Sequence, residues 1–287
     1  MTFLSRITGL VRDLIYAQVF GASAAMDAFV AVFRIPNFLR RLSAEGSFSM
    51  AFVPVLAEYK ARGDAQAVKQ LVDRVAGALL GALLVVCALA IAVAPWLISL
   101  VAPGFVPGST QWQLATDMLR ITFPYALFIS LAAMAGGILN SHGRFAIPAL
   151  SPILLNIAMI VAALWGAPLA ERWGYEPVFA LAWGVFAAGV LQLGFQLPAL
   201  ARIGLLPRPR WDLADAGVRK IGRLMVPTLF GASVAQFNLL FNTFAASLLI
   251  GGSMTWLYYS DRLLEFPLGM FGVAIGTVIL PHLSGRH

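Results

Sequence analysis

Arginine side chains stand deep within apolar stretches of this sequence. Arg12, Arg40 and Arg262 each lie between apolar flanks. An arginine at the centre of a membrane helix costs about 3 kcal/mol on insertion scales, so these side chains are expected to face a wet cavity. A guanidinium presents planar, bidentate donors that suit phosphate. If the three arginines share a cavity, an anionic ligand is the natural counter-charge, and a pyrophosphate-linked lipid would fit.

The charges near these arginines suggest a division of roles, and they also allow an interpretation without a ligand. Arg41 and Glu45 are four residues apart and can pair along one helix face in a structural role, which leaves Arg40 to point at a ligand. Long basic side chains also snorkel to the interface, as Arg6 near the end of its stretch can do. The acids available for internal ion pairs are Asp13, Asp27, Asp261 and Glu265.

The composition places the chain in a membrane. Its 287 residues are 60% hydrophobic and 11% charged, with a mean hydropathy of +0.84, whereas soluble domains carry roughly 25% charged residues. The net charge of +7 is spread over short links without an RNA-binding signature, which argues against nucleic acid. Cys87 is the only cysteine, which excludes a disulfide within the chain and any multi-cysteine metal site. We expect neither a metal nor a cofactor.

Apolar stretches long enough to cross a bilayer recur along the chain, which predicts an all-α, polytopic membrane bundle. The first stretch is predicted to be a retained helix, because charges interrupt it and no cleavage site follows. We predict about eight spans, near 3–20, 25–57, 75–102, 116–139, 146–168, 177–200, 221–250 and 254–281.

The longest polar link divides the predicted spans into two groups. It covers 205–220 and contains Pro207-Arg208-Pro209-Arg210. We predict a six-helix lobe over 1–204, this link on the cytoplasmic side, and the first two helices of an incomplete second lobe over 221–287.

Basic residues occupy alternate links. Lys60, Arg62 and Arg144 lie in such links, and six more basic residues surround the 205–220 link, whereas 21–24, 102–111 and 251–253 hold none. Short cytoplasmic loops carry the excess of lysine and arginine. The pattern predicts a cytoplasmic N-terminus.

Several segments together resemble the MurJ (MviN) family of lipid II flippases. The most specific is 34–49, which contains Arg-Arg-Leu-Ser-Ala-Glu-Gly at 40–46. Further matching segments are 5–13, 20–22, 27–29, 51–54, 102–105, 121–125 and 258–267. The resemblance covers essentially the whole chain, although the family has about fourteen spans and this sequence about eight.

The resemblance implies two six-helix lobes around a central cavity and transport by alternating access. The implied cargo is lipid II, taken from the cytoplasmic leaflet of the bacterial inner membrane and released in the periplasmic leaflet. It implies that Arg6, Arg12, Arg40 and Arg262 bind the pyrophosphate or headgroup. Asp13, Asp27, Arg41, Glu45, Asp261 and Glu265 are assigned to gating or support. A monomer is expected, in contact with membrane lipids and with cell-wall synthesis machinery as a further partner.

Three other functions compete with this interpretation. A sibling transporter of the same superfamily would move another polyprenyl-linked oligosaccharide or a drug. A membrane enzyme acting on polyprenyl phosphates would need clustered carboxylates or a catalytic histidine, whereas the acids are dispersed and His142, His282 and His287 form no triad. A scaffold for cell-wall enzymes would leave the deep arginines unexplained. The sequence therefore predicts a transporter rather than an enzyme.

Overall fold

The computed structural model describes residues 2–40 and 48–264, and only the backbone at 2–3 and 229–237. All regular secondary structure within those ranges is helical. The helices in chain order are α1 (Thr2–Val19), α2 (Ala24–Arg40), α3 (Phe48–Ala61), α4 (Ala65–Ala92), α5 (Ala94–Val101), α6 (Thr110–Thr122), α7 (Tyr125–Ser141), α8 (Ala146–Val161), α9 (Ala167–Arg172), α10 (Phe179–Arg202), α11 (Ala216–Ser247) and α12 (253–264). A wide π turn over Ala162–Gly166 joins α8 to α9.

The helical class predicted from the sequence is confirmed. Four described helical stretches are long and apolar enough to cross a membrane: Ala65–Ala92, Thr110–Ser141, Ala146–Arg172 and Phe179–Arg202. The chain is thus a multi-pass membrane protein. The total of eight spans and the division into lobes stay predictions. Large apolar side chains of α4 such as Leu84 and Leu89 are more than half exposed, as a surface facing lipid requires.

Several helices begin before the apolar segment that predicted them, because capping adds polar turns. Asp64 accepts hydrogen bonds from the backbone of Gln66 and Ala67, so α4 begins at Ala65 rather than near residue 75. Ser109 caps α6 and Asp215 caps α11 in the same manner. Hydropathy locates the part of a helix inside lipid, whereas the caps locate its ends.

The loops between the helices gather at two ends of the bundle. At one end, Gln111 donates to the backbone oxygen of Ala24, and the Gly104 N–H donates to Ser247 Oγ. We call this the bare-loop end, because its loops 20–23, 102–109 and 248–252 contain no lysine or arginine.

The opposite end gathers the basic loops, and we call it the basic-loop end. Lys60 donates to the backbone oxygen of Ser141 at 2.6 Å, and Lys220 pairs with Glu58 at 2.6 Å. These contacts draw together the loops 62–64, 142–145 and 203–215. The charge asymmetry in the sequence is therefore an asymmetry between two ends of the molecule.

Candidate anion-binding cavity

A cavity of about 1200 Å³ opens among α1, α2, α3, α7, α8, α10 and α12. Four arginines line it: Arg6, Arg12, Arg40 and Arg262. Asp13 is the single acidic side chain among the described residues that line it, which leaves three positive charges in excess. The structure thus brings together, from three helices, the arginines that the sequence singled out. Their role in binding stays a prediction.

The carboxylate of Asp13 joins α1 to α12. Its Oδ1 accepts from Arg12 Nη2 at 2.7 Å and from the hydroxyl of Tyr258 at 2.7 Å. Its Oδ2 lies 3.4 Å from Nε of Arg262. Asp13 is 5% exposed, so desolvation strengthens its attraction for both guanidinium groups. One carboxylate therefore partly neutralises two of the four cavity arginines.

Arg12 is the most enclosed arginine of the site. It donates to Asp13, to Asn156 Oδ1 at 3.0 Å and to the Tyr258 hydroxyl at 3.1 Å, and it lies over the ring of Tyr16. Asn156 in turn donates to Thr8 Oγ1 at 2.9 Å. Arg12 is 4% exposed, so its side chain is held in one orientation by a connected polar network.

Arg40 and Arg262 are more open. Arg40 Nε donates to Asn37 Oδ1 at 2.8 Å, one turn earlier in α2. The side chain of Arg262 is 36% exposed and lies over the ring of Tyr258. Arg6, one and a half turns before Arg12 in α1, is also partly exposed. These three arginines are therefore more exposed than Arg12.

A wall without charges is formed by α8 and α10. Gln192 Nε2 donates to the backbone oxygen of Ser151 at 2.7 Å, and Gln196 Nε2 donates to Ser151 Oγ at 3.1 Å. Both glutamines and Ser151 line the cavity. This wall offers hydrogen bonding to neutral groups, in contrast to the arginines of α1, α2 and α12.

Asp27 lies outside the cavity, at the bare-loop end. Its Oδ2 accepts from the backbone N–H of Gly252 at 2.6 Å. Its Oδ1 accepts from the backbone N–H and the hydroxyl of Thr255, at 2.8 and 2.6 Å. A carboxylate of α2 therefore caps the N-terminus of α12, where the unpaired N–H groups favour a negative charge.

The other predicted residues fall elsewhere. Asp261 does not line the cavity and interacts electrostatically with Arg34. Arg41, Glu45 and Glu265 lie outside the described residues, so the predicted pairing of Arg41 with Glu45 stays a prediction. No group of three or more His, Cys, Asp or Glu side chains within 2–40 and 48–264 is placed to hold a metal ion.

Asn156 and Tyr258, like the polar residues of the uncharged wall, had no role in the sequence analysis. Asn156 is a lone amide within the apolar run of α8, and a polar residue in such a run is a usable signal. Tyr258 stands in a segment that carried the family resemblance, yet nothing local indicates that its hydroxyl bridges Arg12 and Asp13.

The chain is similar to proteins of one family. The sequence model of the family described as lipid II flippase MurJ matches residues 16–287. A probable lipid II flippase MurJ of Haemophilus influenzae is 49% identical over 294 residues, covering 100% of this chain and 57% of that protein. A lipid II flippase MurJ of Burkholderia cenocepacia is 47% identical and is covered to 55%.

A solved structure has the same fold. It is described as lipid II flippase MurJ in an inward closed conformation, and it matches with a TM-score of 0.81 at 28% identity. The match covers 99% of this chain and 57% of that one. The chain thus spans a little over half the length of the relatives it matches.

Proposed function

This chain belongs to the MurJ family of lipid II flippases, and we propose that it forms part of a flippase for lipid II. In this proposal the cargo enters from the cytoplasmic leaflet and leaves in the periplasmic leaflet by alternating access. The relatives carry the activity in proteins nearly twice as long. The proposal therefore concerns the whole of such a protein, of which this chain matches a little over half.

The observation that carries the proposal is the charge of the cavity. Four arginines and one carboxylate line a space of about 1200 Å³. A pyrophosphate diester is a dianion, and guanidinium groups bind it through paired, charge-assisted hydrogen bonds. The positive charge of the cavity thus suits the pyrophosphate of a polyprenyl-linked precursor.

The geometry suggests how the residues divide the work. Arg6, Arg40 and Arg262 contact the pyrophosphate first, because they are partly exposed. The ligand then competes with Asp13 for Arg12 and Arg262, so Asp13 serves as the counter-ion of the empty carrier. The neutral wall of Ser151, Gln192 and Gln196 faces the uncharged part of the headgroup. The protein performs no covalent chemistry in this scheme.

Asp27 is proposed as a gating residue at the bare-loop end. Its three hydrogen bonds join α2 to the start of α12. The similar solved structure is described as inward closed, which supports assigning the present conformation to the same state. Release on the far side then requires these hydrogen bonds to break.

The proposed location is the bacterial inner membrane, with the N-terminus in the cytoplasm. The gathering of basic loops at one end supports this orientation, because positive loops stay cytoplasmic. We propose a monomer surrounded by membrane lipids and working beside the cell-wall synthesis machinery. Arg41, Glu45, Asp261 and Glu265 keep their proposed supporting roles.

Complementation tests the proposal. The chain is expressed in a bacterium depleted of its own flippase, alone and joined to the C-terminal remainder of the Haemophilus influenzae relative, and lipid II exposed outside the cell is measured. We expect rescue by the joined protein. Arg40→Gln should abolish that rescue at normal membrane levels, since the guanidinium that α2 contributes to the cavity is lost.

Arg172→Gln is the matched control, because Arg172 is exposed at the end of α9 and does not line the cavity. It should transport normally. Normal flipping by Arg40→Gln would refute the role of Arg40. Failure of the joined wild-type protein despite confirmed insertion would favour the sibling transporter of another lipid-linked cargo.

A further inference from the structure

One face of α2 contacts the hairpin of α11 and α12 at two positions along the helix, Asp27 and Arg34. Asp27 and Arg34 are seven residues apart, which is close to two full turns, so both side chains lie on the same face. Asp27 binds the start of α12, as described above. Arg34, nearer the middle of the helix, reaches α11.

The contact of Arg34 with α11 is a directed chain of hydrogen bonds. Arg34 Nη1 donates to Thr243 Oγ1 at 2.7 Å, and the hydroxyl of Thr243 donates to the backbone oxygen of Leu239 at 2.8 Å. The same guanidinium nitrogen lies 3.4 Å from that oxygen. Because the single hydroxyl proton is directed at Leu239, a lone pair of Thr243 faces the cation.

We propose that Arg34 is a positioning residue that holds the bare-loop end closed by bonding to Thr243. The proposal rests on the alternating-access mechanism proposed above. Opening of the bare-loop end separates α2 from α11, so the bond between Arg34 and Thr243 must break in each cycle. Arg34 touches no cargo in this scheme, because it does not line the cavity.

The bond between Arg34 and Thr243 is expected to be stronger than a hydrogen bond at the surface, because both residues are at least partly buried. Thr243 is fully buried, and Arg34 is only partly exposed. A hydrogen bond from a charged donor is stronger than a neutral one, and a partly buried guanidinium that loses its acceptor carries a desolvation cost. The contact therefore adds to the stability of the closed arrangement alone.

A sided labelling experiment tests the proposal without any cargo. In the joined protein of the complementation test, native Cys87 is replaced by alanine and buried Ala246, three residues after Thr243, by cysteine. A membrane-impermeant maleimide is applied to spheroplasts and to inverted vesicles, so the result does not depend on the orientation. The rate at which this cysteine is labelled reports how often α2 separates from α11.

We expect Arg34→Met and Thr243→Val each to raise the labelling rate about tenfold from the bare-loop side, the effect of losing one charged hydrogen bond. Thr243→Ser, which keeps the hydroxyl, should label like the wild type. The double variant should label no faster than Arg34→Met alone, because that change already removes the bond to Thr243 together with the interaction between Arg34 and Asp261.

Equal rates for Thr243→Val and Thr243→Ser, or additive effects in the double variant, would overturn the proposal. A second protein, in which native Cys87 is the cysteine that is labelled, tests whether the variant has only loosened the fold. Cys87 is buried, so general loosening would raise its labelling rate. The labelling rate of Cys87 should be the same with and without Arg34→Met. An increase in that rate would also contradict the proposed role of Arg34. If the expected labelling results are obtained but the protein does not flip lipid II, the proposed cargo is wrong and the proposed role of Arg34 is retained.

Discussion

Asp13 is the residue on which the charge of the cavity depends. It accepts hydrogen bonds from Arg12 and Tyr258 and pairs with Arg262, all within 3.4 Å. Removing one partner of a buried ion pair leaves the other charge uncompensated, at a cost of about 3–5 kcal/mol. An anion in the cavity would supply the missing negative charge. Asp13 and the cargo are therefore alternative partners of the same arginines.

Asp13→Asn should bind inorganic pyrophosphate about tenfold more tightly than the wild type, because the anion no longer competes with a carboxylate. The same change should lower the midpoint of thermal unfolding in the absence of ligand. Both quantities are measured in detergent, by titration calorimetry and by near-ultraviolet circular dichroism.

Asp117→Asn is the control at this scale. Asp117 pairs with Arg120 on the surface, where both side chains are about half exposed, and such pairs contribute little. It should change neither affinity nor stability. Weaker pyrophosphate binding by Asp13→Asn would contradict competition between Asp13 and the anion.

At the scale of elements, the link before α11 is bound to α4 along its length. The carboxylate of Asp73 accepts a hydrogen bond from the backbone N–H of Arg208 at 2.7 Å. The backbone oxygen of Asp73 accepts one from the backbone N–H of Arg210 at 2.9 Å. Arg74 pairs with Asp215, the residue that caps α11. The start of α11 is thereby held to α4.

Gly77 of α4 makes room for this link. A Cβ at position 77 would lie 2.1 Å from the backbone oxygen of Arg210, so backbone would have to move. Gly77→Ala should destabilise the protein by about 1–3 kcal/mol, as other overpacking changes do. It should also speed cleavage by trypsin after Arg210, which limited proteolysis in membranes measures.

Gly194→Ala serves as the comparison, because a Cβ there meets nothing within 4 Å. It should leave the cleavage rate unchanged and stability equal or slightly higher, since alanine favours the helix. Equal cleavage of the two variants would mean that the link is not held by its fit to Gly77.

At the scale of the whole molecule, the bare-loop end is closed by contacts between distant parts of the chain. Gly104 lies against Ser247, and a Cβ on Gly252 would lie 3.6 Å from Cβ of Ala22. That separation suits a disulfide. A covalent bond here would hold α1 and α2 to the hairpin of α11 and α12.

Ala22→Cys combined with Gly252→Cys, with Cys87 replaced by alanine, should form a disulfide on oxidation and stop transport at the closed stage. Pyrophosphate binding should persist, and reduction should restore flipping. Gly252 has a φ of +92°, so the single variant Gly252→Cys controls for backbone strain. Full transport by the oxidised double variant would contradict opening at this end.

The sequence by itself determined the helical class, the membrane environment and the arginines worth attention. Apolar length and the spacing of basic links are local properties, and the cost of a charge in lipid makes a deep arginine conspicuous wherever it occurs. Arg12, Arg40 and Arg262 could therefore be singled out before any packing was known. The helix ends were less accurate, because Asp64 and Asp215 cap their helices beyond the apolar part.

Only the tertiary structure decided which partners these charges have. Asp13 bonds to Arg262, which is distant in the chain, whereas Asp261 beside Arg262 does not line the cavity. Asp27 caps a helix that begins more than two hundred residues later. Such pairings depend on how helices are rotated and tilted against one another, and a side chain's local sequence contains no information about that.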